Sequence, residues 1–255
     1  MVVCTVAQII SAVASLKHVL ETCDTVLLAL KNGGQESLDC PDSPTLLRDF
    51  NSLLSLIHGS ATKVALTLKP PSPEYSASLA PLRDISIHVS RLGHCVSLFT
   101  PATHGATLVR EVVAVAEDVV ESIQSFIRVF LPLGNNTADK TSPYLIKVGA
   151  VHDIIEKSRG PNGLSMDNAT AVRKRWTADA SSLEDCFREL DEAITTESEV
   201  INEDRDFDDG WDELGVRSGD KMSPKELERA KIVSFISLCL ACHSDYCRFT
   251  LCFGC

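Results

Sequence analysis

Aromatic residues make up only 5% of this 255-residue chain against 44% hydrophobic residues overall, so Leu, Val, Ala and Ile must fill the core. That filling suits packed helices rather than sheets, whose pleated surfaces favour Tyr, Phe and Trp. Bases are scarce too: 24 Lys and Arg face 35 Asp and Glu, a formal charge of -11. Such a balance argues against direct contact with nucleic acid or anionic lipid, because both draw affinity from Lys and Arg placed on phosphates. Basic protein surfaces are the partners it favours. No run reaches about 20 residues free of charge, which leaves nothing to span a membrane.

Chemistry-bearing patterns are missing as well. There is no Gly-rich phosphate loop. His18, His58, His88, His94, His104 and His152 are scattered singly, without a Ser or Cys and an acid at motif spacing, so core or surface histidines are expected. Glu184 and Glu189 stand five residues apart, on different faces of a helix, and form no acid/base pair. Neither catalysis nor a cofactor is expected.

What is present is helical period. Val13, Leu16, Leu20, Cys23, Leu27 and Leu30 mark a helix from Val3 to Lys31, stopped by Asn32-Gly33-Gly34. Ala12-Val13-Ala14 has the form of a signal-peptidase site, but no base precedes Lys17 and the stripe runs straight through, so a structural first helix is expected, in an intracellular chain with reduced cysteines. Ser43-Pro44 offers an N-cap and first-turn proline to a second helix through Leu46, Phe50, Leu53, Ile57, Ala61, Val64 and Leu68. A third carries Leu82, Ile85, Val89, Leu92, Val96 and Phe99. The fourth runs from Leu108 to Phe130 and closes at Pro132 and Gly134. Long helices joined by short or moderate links predict an antiparallel four-helix bundle over residues 1–134.

Leu133 to Ser142 is a polar linker and the predicted internal boundary. Beyond it, residues 143–255 are read as a second helical part. Its first helix carries Tyr144, Val148, Val151 and Ile155. The next runs from Leu164 to Ile194, with Val172, Trp176, Ala180, Leu183, Phe187, Leu190 and Ile194 at steps of three and four, a stripe expected to be buried along one side. An acidic loop over 197–220 follows. From Glu197 to Glu213, Arg205 is the only base. Ser223-Pro224-Lys225-Glu226 is a capping box for one more helix, and a Cys-rich tail fills 239–255. The fold class is all-α: antiparallel helical bundles, about seven helices in two packed parts.

Three blocks carry a family resemblance: Leu164-Ser165-Met166-Asp167-Asn168 through Trp176, Asp208-Asp209-Gly210-Trp211-Asp212-Glu213-Leu214, and Met222-Ser223-Pro224-Lys225-Glu226-Leu227 through Lys231. In residues, order and spacing the chain resembles the cyclin-D-binding protein family, also called GCIP. The resemblance implies an all-helical, non-enzymatic interaction protein of cytoplasm and nucleus. It also implies links to cell-cycle control and to transcription through helix-loop-helix partners. A helical scaffold of the vinculin or talin type is the alternative within the same class.

Two stretches are candidate sites. Asp208, Asp209, Trp211, Asp212, Glu213 and Leu214 form an apolar anchor in an acidic frame suited to a basic groove; the alternative is Trp211 folded back onto the bundle. These acids lack calcium-loop spacing. In the tail, Cys239, Cys242, Cys252 and Cys255 make two Cys-x-x-Cys pairs, with His243 and Cys247 as further donors, which points to zinc or a redox role. The nine intervening residues are fewer than such sites use, so a misread chain end and ordinary thiols stand beside the metal reading. Arg173-Lys174-Arg175 is the one basic cluster and reads as a solvated face, in reach of the acidic loop. Ser43, Ser72, Ser142 and Ser223 each precede proline; caps are favoured over kinase targets.

Overall fold

The computed structural model describes residues 6–32, 41–131 and 143–199, the side chains as far as Glu192, together with Lys225, Glu226, Glu228, Arg229 and Ile232. Among these residues there are seven helices and no strand. They are α1 (Val6–Lys31), α2 (Ser43–Thr67), α3 (Tyr75–Ser97), α4 (Pro101–His104), α5 (Ala106–Arg128), α6 (Pro143–Arg159) and α7 (Asn168–Glu199). The all-α expectation holds. None of the described helices is long and apolar enough to cross a membrane.

Two compact units divide the chain, residues 1–174 and 175–255. In the first, five long helices close a ring: α1 packs on α3, α3 on α2, α2 on α6, α6 on α5 and α5 on α1. Their apolar stripes meet inside it, with Leu16, Phe50, Ile57, Leu82, Ile85, Leu92, Ile123 and Phe126 wholly buried. The sequence places the first boundary at 133–142 and counts four helices before it. In the structure α6 brings Tyr144, Val148, Val151 and Ile155 into the same core as α2 and α5. The reason is visible in α5, whose buried arc includes both Val119 and Val120 and both Phe126 and Ile127, wide enough to need neighbours on more than one side.

Helix ends differ in detail from the sequence expectation. Asp42, not Ser43, occupies the N-cap of α2; Ser43 and Pro44 lie in its first turn, and no side chain caps it. The short α4 carries too few residues to show a period. Thr100 caps it, its hydroxyl accepting from the Thr103 N–H at 3.4 Å, and Pro101 starts it. His104 then ties the joint together: its Nδ1 accepts from the Thr100 N–H at 3.0 Å and its Nε2 donates to the Pro41 carbonyl at 2.9 Å. Buried at 3% exposure, it is a structural histidine.

Candidate functional site

The start of α7 is held by a small set of polar contacts. Asp167 precedes the helix and its carboxylate accepts from the Thr170 N–H at 2.7 Å; that bond holds the carboxyl below its ordinary range. Asn168 serves a second helix, its Oδ1 accepting from the Leu108 N–H at 3.1 Å and so capping α5. Gly105, with φ at 85°, brings the chain into α5 beside that amide group, where a Cβ would strike the Asn168 side chain. Glu111 on α5 accepts from the Ser165 N–H at 3.3 Å and pairs with Lys174, whose ammonium also donates to the Gly163 carbonyl at 2.7 Å. Ala171 is buried. Within the basic cluster, Lys174 is therefore fixed on Glu111, and Arg175 pairs along its own helix with Asp179 at 3.1 Å.

Beyond this anchor the expectation of a buried stripe is overturned. Trp176 and Leu183 are each 56% exposed, Val172 is 46% exposed, and Ala180, Phe187 and Leu190 are half-buried. From Val172 to Glu192 no residue is buried. Period tells that a helix has an apolar face, and says nothing of what covers it. The core of residues 6–174 is already closed by α1, α2, α3, α5 and α6.

The candidate residues Asp208, Asp209, Trp211, Asp212, Glu213 and Leu214 lie outside the described residues, as do Cys239, Cys242, Cys252 and Cys255. Among the described residues no group of His, Cys, Asp and Glu has metal-holding geometry. Burial pushes the Cys23 thiol up to about 12, with Asp24 adding to the shift, and the Cys95 thiol up to about 11, so both stay protonated and unreactive at neutral pH.

One pairing escaped the sequence. His58 on α2 and His152 on α6, 94 residues apart, stack with ring centroids at 3.8 Å. Thr62 Oγ1 donates to the His58 carbonyl at 3.0 Å, so at 3.1 Å it accepts from His152 Nε2. His58 Nε2 lies 4.0 Å from Glu156. Each histidine adjoins a buried core residue, Ile57 and Val151, and that adjacency was the one signal available.

A family model described as "Grap2 and cyclin-D-interacting, N-terminal" matches residues 49–196, more than half of the chain. The chain belongs to the GCIP family. The match runs from α2 into α7, so it takes in the anchor at Asp167 and Asn168 and the exposed stripe from Trp176 to Leu190. The other two blocks of resemblance, at 208–214 and 222–231, lie beyond it. No curated protein and no solved structure matches this GCIP-family chain.

Proposed function

We propose that this chain is a non-enzymatic interaction protein that binds partner proteins through the apolar face of α7, with the acidic segment Asp208 to Leu214 as a second contact. The family description names cyclin D, which makes a D-type cyclin the first partner to test. Helix-loop-helix factors follow from the resemblance, as do cytoplasm and nucleus and a role in cell-cycle and transcription control. The observation that carries the reading is the exposure of Trp176 and Leu183 on a helix inside the family match. Large apolar side chains aligned on one exposed face mark an interaction surface, and a buried Trp is among the strongest anchors an interface can have.

The test is binding of the full chain to an immobilised D-type cyclin, beside a Leu183→Asp/Phe187→Asp variant and a Trp211→Ala variant. Loss of roughly tenfold or more in the double variant, with helicity unchanged, is expected; a tenfold loss is about 1.4 kcal/mol of binding free energy. Cyclin binding that neither variant weakens would sink the proposal.

A further inference from the structure

We infer that the exposed face of α7 takes a single amphipathic helix from another protein, one whose own apolar seam is flanked by Lys and Arg. The inference rests on the proposed interaction role and adds the chemistry of the partner. Trp176, Ala180, Leu183, Phe187 and Leu190 follow one another at four, three, four and three residues, a mean of 3.5. That spacing is the seam of a helix packed on another helix; Leu16, Val19, Cys23, Val26 and Leu30 of α1 share it inside the core, but there Leu20 and Leu27 widen the seam, where α7 has polar or acidic residues. In heptad terms Trp176, Leu183 and Leu190 are d positions and Ala180 and Phe187 are a positions.

The flanking e and g positions choose the occupant. They are Thr177, Asp179, Glu184, Cys186 and Asp191: every charge there is negative. In a two-helix pairing these flanks face the flanks of the partner, so complementary Lys or Arg attracts and like charge repels. A second copy of α7 would set acids against acids whether the helices ran parallel or antiparallel. Asp179 meets Arg175 already, but that pair is exposed on both sides, and exposed pairs contribute little enough for a partner to replace them. Asp167 suits the dipole at the start of α7, but its far end does not: no base stands in the last turn, and from Glu184 to Glu199 Arg188 is the only base. A basic partner helix along the C-terminal half supplies what the sequence leaves out.

The test uses the full chain carrying Trp211→Phe, which leaves Trp176 as the sole tryptophan. Two synthetic amphipathic peptides with the same leucine seam, one with Lys at every e and g position and one with Glu, are titrated while Trp176 emission is followed. The lysine peptide is expected to shift the emission to the blue and bind at least roughly tenfold more tightly, with the gap closing at about 1 M salt. Adding Glu184→Lys and Asp191→Lys is expected to reverse the preference. Equal binding of the two peptides, both abolished by Leu183→Asp, overturns the charge inference while leaving α7 as a docking face. Failure of both peptides overturns the inference too, and the cyclin experiment then decides the broader reading separately. A dimer in sedimentation that Leu183→Asp dissolves would show a second copy as the occupant and overturn it as well.

Discussion

Helices α5 and α7 look alike by period alone and differ in fate. On α5, Leu108, Val112, Ala116, Val119, Val120, Ile123, Phe126 and Ile127 are all without exposure. On α7, Trp176 and Leu183 keep more than half of theirs. What separates the two is the width of the apolar face. The α5 arc takes in neighbouring positions twice, at 119 and 120 and at 126 and 127, and meets α1, α3, α4 and α6. The α7 seam has two apolar positions per heptad with acids beside it, whereas α1, with the same seam at Leu16, Val19, Cys23, Val26 and Leu30, adds Leu20 and Leu27 beside it.

The contrast predicts unequal costs for equal truncations. Phe126→Ala is expected to lower stability by about 3–5 kcal/mol, since the ring is wholly enclosed and packs edge-on against Phe130 at 5.3 Å. Leu183→Ala is expected to change it by about 0.5 kcal/mol or less, as at any exposed helix position. Urea unfolding of both variants checks the pair. A Leu183→Ala cost comparable to that of Phe126→Ala would mean that the α7 face is covered within the chain.

The junction between the two behaviours is the anchor at the start of α7, and Gly105→Ala probes it. An L-residue at φ 85° is strained, and the added Cβ meets the Asn168 side chain that caps α5. A loss of about 1–3 kcal/mol is expected, measured by the same unfolding. Asn168→Ala should remove most of the steric part, so the double variant is expected to cost less than the sum of the two single changes. Strict additivity would show that the two residues do not share the joint.

Much of the fold was legible because long helices with clear stops punctuate the chain: Lys31 before Asn32-Gly33, Thr67 before Lys69-Pro70, Ser97 before Thr100-Pro101. The placement of α6 was not, because a polar linker at 133–142 reads as a boundary whether or not the next helix returns to the same core. The exposure of α7 leaves its trace in the acids beside the seam, not in the period, which the buried stripe of α1 shares. Contacts of high sequence separation leave little trace. His58 and His152 meet only because α2 and α6 pack side by side.

That histidine pair gives the smallest expected effect and places it at one interface of the closed core. Burial and the neighbouring His58 ring lower the pKa of His152 below its ordinary 6.5, although Glu156 and Asp153 on α6 pull the other way. Burial likewise lowers His88, held at 3.3 Å from Ser60, against the pull of Asp84 and with Arg91 and Lys63 adding to the shift. A histidine whose folded pKa is depressed binds fewer protons folded than unfolded. Its contribution is therefore fully present above about pH 6.5 and is lost as the pH falls through the depressed value. Carboxylates still act in the same direction only further down, nearer their own range. Stability measured between about pH 7.5 and 5.5 should thus decline in the parent chain and decline less in His152→Gln, which keeps a donor for Thr62 and cannot take up the proton. Parallel slopes in the two proteins would show that the stacked pair at the α2 and α6 interface does not titrate with folding, and would leave His88 as the group that carries the decline.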